Sequence, residues 1–252
     1  MKLVSYNLRY GGNTGNAGKV NHWQQMINEF VPDIMFAQES HHPKRYFSSS
    51  DEFSQFKGCV HSNVHHGKWG SAILSKNHKL EEVFLSVPEY EGWVVGARVP
   101  DLMIGDVAQP VLIFSIHAPS LSTGSYEQHV NRILDEIVKQ WGKTPMILAG
   151  DFNLTTAATR HTTEAMKNTA GEIKILERLR VDLGLVNAWQ AVHPNDDLPQ
   201  TLRWSGNTAT PYHCDAIFLS EKFLPYLVSA EIPSTGVWGK ISDHNPVIVE
   251  LK

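Results

Sequence analysis

Leu148-Ala149-Gly150-Asp151-Phe152-Asn153-Leu154 is a stretch in which apolar chain gives way to oxygen donors. The apolar run from Pro145 to Ala149 predicts a buried strand. Gly150 then lets the backbone turn before Asp151 and Asn153 arrive on alternating positions. Residues two apart on extended chain point the same way. A carboxylate and a carboxamide so placed suit a hard divalent cation or an attacking water. Gly, Asp and Asn are also ordinary turn residues, so a plain turn after a strand is the competing reading.

Other predicted strands end in the same kind of residue. Asn7 follows Leu3 to Tyr6, Glu39 follows Ile34 to Gln38, and His117 closes Val111 to Ile116. Asp243 and His244 stand just before Pro246 to Val249, and Asp215 opens the strand Ala216 to Leu219. Acids, amides and histidines gathered at strand ends from the whole length of the chain imply one shared site.

A chain of 252 residues with 42% hydrophobic content can bury a sizeable core, and nothing in it demands a second domain. One domain over 1–252 is expected. The net charge of −4 lacks the global basic footprint of a non-specific duplex binder, although basic residues can still line one face. Cys59 and Cys214 have no partner at zinc-finger or redox-motif spacing and read as free buried thiols. No secretory signal and no apolar run long enough to span a bilayer is visible, so a cytoplasmic monomer without a membrane span is expected.

Taken in order, the chain alternates short strands with single helices. After the first strand, Arg9 to Gly18 is a Gly- and Asn-rich loop that lacks the residue order of a phosphate-binding P-loop. Val20, Trp23, Ile27, Phe30 and Val31 recur at helical spacing, as do Val130, Ile133, Leu134, Ile137, Val138 and Trp141, and then Ile173, Leu176, Leu179 and Leu183. His41 to Lys68 is polar and reads as irregular, either solvated loop or a substrate-facing loop beside Glu39; the pairs His41-His42 and His65-His66 favour the solvated reading. Strands are expected at Trp69 to Ser75, Leu80 to Phe84, Trp93 to Val99, Leu227 to Glu231 and Val247 to Leu251, with a loop or short helix over Thr155 to Asn168 and loop over Ala191 to Thr210. Arg98 falls among apolar strand residues, where a charge either snorkels to an edge or is aimed at an anion. Short connections favour antiparallel pairing, and strands too apolar for one wet face favour burial between layers. The fold class is α/β, a layered sandwich with a cleft where strand ends meet.

Asn7, Glu39, Asp151, Asn153 and Asp243 are hard oxygen donors with no Cys or triple-His set among them, which favours Mg2+ or Mn2+ over zinc. His117 and His244 can donate or accept a proton near neutral pH, and Asp215 can orient one of those imidazoles. Metal, carboxylates, imidazoles and an amide together describe hydrolysis of a phosphate ester.

The ordered series Ser5-Tyr6-Asn7, Gln38-Glu39-Ser40, Gly70 to Ser75, His117-Ala118-Pro119-Ser120, Gly150-Asp151-Phe152-Asn153, Cys214-Asp215 and Ser242-Asp243-His244-Asn245-Pro246 resembles the endonuclease/exonuclease/phosphatase superfamily, the fold of the pancreatic-type DNase and the exonuclease III-type repair enzymes. The resemblance covers essentially the whole chain. It implies a four-layer α/β sandwich, two central, mostly antiparallel β-sheets flanked by helices. It further implies Glu39 as principal metal ligand with Asn7 beside it, and Asp243 as another. Asp151 aligns or polarises the attacking water, Asn153 holds a phosphate oxygen or metal, and His244 contacts the scissile phosphate, paired with Asp215. His117 matches the histidine branch of the family, and Arg98 is a looser match to a phosphate-contacting arginine.

The same core serves DNA, RNA, sphingomyelin, inositol phosphates and nucleotides, so fold and site give the reaction and leave the ester open. A nuclease on DNA or RNA leads. Arg9, Lys44, Arg45, Lys68 and Arg203, with Trp69 and Trp204, are candidates for a basic, aromatic rim. A phosphatase or phosphodiesterase on a lipid, inositol phosphate or nucleotide is the alternative, for which Trp238 is a candidate piece of a membrane-seeking hairpin. A non-catalytic binding module of the same fold is the third.

Overall fold

The computed structural model describes residues 1–11, 20–159, 167–204 and 212–252. The first half runs β1 (Lys2–Gly11), α1 (His22–Phe30), β2 (Ile34–Ser40), α2 (Ser50–Phe53), β3 (Gly58–Asn63), β4 (Gly70–Ser75), β5 (Glu81–Val83), β6 (Val94–Val99), β7 (Met103–Ile104) and β8 (Val107–Ala108). The second runs β9 (Val111–His117), α3 (Tyr126–Trp141), β10 (Met146–Asp151), α4 (Ala170–Leu183), β11 (Leu185–Asn187), α5 (Ala188–Val192), β12 (Asp215–Ser220), β13 (Leu227–Glu231), α6 (Trp238–Ile241) and β14 (Val247–Leu251).

Twelve of these strands form two six-stranded sheets, ordered β13-β14-β1-β2-β4-β3 and β11-β12-β10-β9-β6-β5. Each sheet has one parallel pair at its centre, β1 with β2 and β9 with β10, and its other pairs are antiparallel. The layering follows from strand alternation. Ile113, Ile147 and Ala149 face the other sheet and join Leu3, Phe36 and Ile217 in the middle layer. Their neighbours Leu112, Phe114, Met146 and Leu148 face outward against Val130, Ile133 and Ile137 of α3 and Leu179 and Leu183 of α4. On the other side Val4, Tyr6 and Met35 face outward against Trp23, Met26 and Phe30 of α1. Central strands buried on both faces are largely apolar, and β9 and β10 are buried throughout with Ser115, His117 and Asp151 as their polar side chains. Each such Leu, Ile or Phe contributes about 1.5–3 kcal/mol by leaving water. The expected four-layer α/β sandwich is the observed architecture.

The helices are stopped by local chemistry. Asn21 caps α1 by accepting from the Gln24 N–H at 3.1 Å, and Ser125 and Thr169 open α3 and α4 with reciprocal capping boxes. Gly184 ends α4 in a left-handed turn, as its place after the periodic run predicts.

Four expectations need correction or bounding. The segment His41 to Lys68, read as irregular, contains β3, which pairs with β4 at the free edge of its sheet. An edge strand with a wet face does not need an apolar repeat, and Gly58-Cys59-Val60-His61-Ser62-Asn63 offers almost none. Arg98 is not at a strand end that faces the site: it pairs with Leu112, at the opposite end of β9 from His117, and donates to Glu81 Oε2 at 2.9 Å on the surface. Trp238 is 2% exposed, stacked on Phe30 and edge-on to Tyr6, so it packs and offers no apolar hairpin. Of the predicted loops Arg9–Gly18, Thr155–Asn168 and Ala191–Thr210, residues 12–18, 160–166 and 205–210 lie outside the described residues. Among the described residues no helix is long and apolar enough to cross a membrane.

Candidate active site

The two parallel pairs are what assemble the site. Parallel strands end on the same side, so β1 and β2 deliver Asn7 and Glu39 together, and β9 and β10 deliver His117 and Asp151, which are register partners. Ligand sites of α/β sheets gather at such carboxyl ends. Because the two sheets pack face to face, the four residues meet across the middle layer. Near this junction the sheets are tied by Gln38 Nε2, which donates to Ser115 Oγ at 3.0 Å, while Ser115 Oγ donates to the Ala37 carbonyl at 3.1 Å.

The strand ends are bent to fit. Between the pairs Ala37–Ala72 and Ser40–Gly70, two residues of β2, Gln38 and Glu39, face the single Ser71 of β4, a bulge that turns Glu39 into the cleft at φ 52°. Arg9 and Asn153 also hold left-handed backbones, both at φ 51°. Left-handed conformations cost side-chain-bearing residues about 1–2 kcal/mol each, and they concentrate here at the mouth of the cleft. Gly150 is required for a different reason: a Cβ there would lie 1.8 Å from the Ile116 carbonyl oxygen, so β10 lies too close to β9 for any side chain just before Asp151.

Asp151 is the centre of the constellation and is 1% exposed. Its Oδ2 accepts from Asn7 Nδ2 at 3.0 Å and lies 3.8 Å from His117 Nε2 and 3.7 Å from His244 Nε2. The same Asn7 amide donates to Glu39 Oε1 at 3.2 Å, and that oxygen is 3.9 Å from His117 Nε2. Asn7 Oδ1 accepts from the Arg9 N–H at 3.0 Å, so the face Asn7 presents to the two carboxylates is its donor face. Burial, and then the charge of Asp215, raises the Asp151 carboxyl above its ordinary range.

The histidines are pushed apart. Burial lowers His117 to about 4, so it is neutral, and Trp69 and Trp93 stand against its ring. Burial would lower His244 too, but the charges of Asp215 and Asp151 overcome it and raise His244 to about 10. Its Nδ1 lies 2.9 Å from Asp215 Oδ2. His244 is therefore an imidazolium held between two carboxylates.

The turn that carries His244 is fixed by residues the sequence reading did not assign to it. Arg203, placed on a basic rim, is instead 9% exposed. Its guanidinium donates to the carbonyls of Ser242 at 2.7 Å, His244 at 3.0 Å and Trp238 at 3.2 Å, and also to Asn245 Oδ1. The Arg203 N–H adds a bond to the Asp243 carbonyl at 2.7 Å. Thr201 Oγ1 accepts from the backbone N–H groups of Cys214 at 2.9 Å and Asp215 at 3.1 Å. Ser242 Oγ donates to the Asn7 carbonyl at 2.9 Å and ties this turn to β1.

Asn7, Glu39, His117, Asp151, Asp215 and His244 are thus brought into one connected set. Asp243 joins it through Arg9, whose Nε is 3.5 Å from Asp243 Oδ2. Asn153 joins by its backbone, donating N–H to Asp151 Oδ1 at 2.9 Å; the chain turns left-handed at Asn153, so simple strand alternation does not describe it. Arg98 stays outside. The donors around Glu39 and Asp243 are carboxylate oxygens, a set that fits Mg2+ or Mn2+.

A sequence model of the Endonuclease/Exonuclease/phosphatase family matches residues 4–244. The chain belongs to that family. No curated protein matches it. Among solved structures, an AP endonuclease from Archaeoglobus fulgidus is similar over 100% of this chain and 99% of its own at 18% identity, with a TM-score of 0.73. A 3′ phosphatase from Neisseria bound to a product DNA hairpin is similar over 100% and 99% at 18% identity, with a TM-score of 0.71. A 3′-5′ exonuclease from Neisseria meningitidis is similar over the whole of both chains at 17% identity, with a TM-score of 0.68. At these identities the likeness is one of fold, and this member of the endonuclease/exonuclease/phosphatase family carries the fold end to end.

Proposed function

We propose that this chain is a divalent-metal-dependent phosphodiesterase that cleaves a nucleic-acid strand by in-line attack of an activated water. The observation that carries the reading is the buried Asp151 carboxylate flanked by a neutral and a charged imidazole, His117 and His244, at 3.8 and 3.7 Å. Asp151, with its raised affinity for a proton, takes the proton of the attacking water. His244, kept charged by Asp215, sets its positive Nε2 edge against the phosphoryl oxygens as charge builds on them. His117, uncharged, would donate from Nε2, the nitrogen that faces Glu39 and Asp151 at 3.9 and 3.8 Å, to a phosphoryl oxygen. Asn7 holds the Glu39 and Asp151 carboxylates side by side. Glu39 and Asp243, with Asn7 beside them, would hold the metal ion, which would supply neutralisation of phosphoryl charge.

Nucleic acid is favoured by what lies next to the site. A cleft of about 380 Å³ runs from Asn153 and Leu154 past Lys167 to Trp204 and Tyr212. Trp204 is 63% exposed and Tyr212 41%, so both offer ring faces on which bases can stack. Lys44, Arg45 and Lys68 are exposed on the segments that follow and flank β2, on the Glu39 side. The deciding experiment is hydrolysis of single-stranded DNA, RNA, an aryl phosphodiester and a 3′ phosphomonoester, with and without Mg2+, beside Asp151→Asn. Metal-dependent strand cleavage lost in the variant supports the reading. Turnover of the monoester alone moves the chain to the phosphatase branch, and turnover of none overturns the catalytic reading.

A further inference from the structure

Cys214 has no part in the reaction proposed above, yet it sits inside the same cluster. The thiol is buried, and its Sγ lies 3.6 Å from Asp215 Oδ2. One ligand atom from each of Asp151, Cys214, Asp215 and His244 falls within 4.8 Å of every other, and all four residues are buried. This quartet differs in kind from the Glu39 end of the site. There the donors are hard oxygens; here they are one sulfur, one imidazole nitrogen and two carboxylate oxygens.

We propose that the quartet is a second metal site, one that takes Zn2+ or a similarly thiophilic divalent ion and inhibits the enzyme when filled. Tetrahedral zinc with ligand distances of about 2.0–2.3 Å needs its ligand atoms about 3–4 Å apart, which fits inside the observed spread. Thiolate selects zinc over magnesium, so the ion that serves catalysis at Glu39 does not compete well for this place. Two of the ligands are neighbours in sequence, and their backbone N–H groups are clamped by the one Thr201 hydroxyl, so Cys214 and Asp215 are already fixed relative to each other. Binding releases two protons to solvent, one from the Cys214 thiol and one from the His244 imidazolium, in exchange for a sulfur–metal and a nitrogen–metal bond. The inhibition follows from identity: Asp151 and His244 cannot ligate zinc and also serve water and phosphate. This second half of the inference rests on the phosphodiesterase reading, and the first half does not.

The test uses the full chain with Mg2+ in excess. Cd2+ is added as a spectroscopic probe, and Zn2+ is titrated into the hydrolysis assay. One equivalent of Cd2+ should produce a thiolate-to-metal charge-transfer band, and zinc bound to the unmodified chain should show one sulfur neighbour by X-ray absorption. Cys214→Ser should abolish the band and raise the zinc needed for half-inhibition at least about tenfold. Its Mg2+-supported activity without zinc should stay at the parent level, and Cys59→Ser should behave like the parent throughout. An all-oxygen-and-nitrogen shell around zinc in the unmodified chain overturns the site, whatever the variants do. A sulfur-containing shell with undiminished hydrolysis overturns the inhibitory role alone.

Discussion

The Nδ1 of His244 lies 2.9 and 3.1 Å from the two carboxylate oxygens of Asp215, while the Nε2 of the same ring faces Asp151 at 3.7 Å. A ring held in this way is oriented and charged by one acid in order to act beside another. Asp215→Asn keeps the shape and removes the charge. The expected result is a kcat lower by about 10²–10⁴-fold with KM changed little. The His244 imidazole, followed by NMR, should titrate below the value of about 10 that the parent holds. Parent-like kcat in this variant would mean that the pair is structural.

Glu39 and Asp151 share one Asn7 amide but are assigned different work, so their variants should fail differently. Glu39→Gln weakens the metal site, and the Mg2+ concentration for half-maximal activity should rise at least about tenfold, with part of kcat recovered at saturating metal. Asp151→Asn removes the base and should lower kcat by about 10³-fold at any metal concentration. Identical metal dependence in both variants counts against the division of roles.

Trp204 stands next to Arg203 in sequence but is turned outward, and its ring is free to stack. Trp204→Ala should weaken single-strand binding by about 1–3 kcal/mol, read by fluorescence anisotropy with a labelled oligonucleotide and Ca2+ in place of Mg2+. Hydrolysis of a small aryl phosphodiester, too short to reach the ring, should be unchanged.

How much of this was legible in the sequence depends on where each residue takes its partners. Val111 to His117 and Val247 to Leu251 were readable to the residue, because strands packed in the core show as largely apolar runs, interrupted here only at Ser115, His117 and Glu250. The strand-end logic found Asn7, Glu39, His117 and Asp151 for the same reason: the apolar run stops where the polar group begins. Arg98 misled because an arginine between apolar residues looks alike whether it faces an anion or, as here, an edge-strand glutamate. Arg203 was misplaced because its acceptors are 35 to 42 residues downstream, and no local spacing points to them. Strand β3 was missed because an edge strand carries little of the pattern by which strands are read.

Arg203 gives a prediction on stability. Its guanidinium is the common donor to the turn bearing Asp243 and His244, and its planar fork serves four acceptors at once. Arg203→Met keeps the bulk and leaves buried carbonyls unpaired. It should destabilise the chain by about 3–5 kcal/mol, measured by denaturant unfolding. Arg203→Lys, able to restore only part of the fan, should fall between the two and should lose kcat before it loses the fold.

Acid should unfold this protein through histidines that catalysis does not use. His22 and His213 are 1% and 2% exposed, and each turns one ring nitrogen to a carbonyl, Ile241 at 2.9 Å and Pro199 at 2.8 Å. The other nitrogen, His22 Nδ1 or His213 Nε2, is buried and makes no hydrogen bond. A second proton would have nowhere to donate, and burial, against the pull of the carbonyl, lowers both rings to about 4. In the unfolded chain they titrate near 6.5. Since the folded value is the lower one, their stability is intact above pH 6.5 and is lost as pH falls from 6.5 to 4. At pH 5 the loss is on the order of 2 kcal/mol per histidine, enough to lower Tm by roughly 5 °C or more. His22→Gln with His213→Asn replaces each donor without a titrating group. That variant should start from a lower Tm at pH 7 and lose less of it on going to pH 5, as followed by thermal melts across the window. Parallel Tm curves for variant and parent would assign the acid sensitivity to other groups.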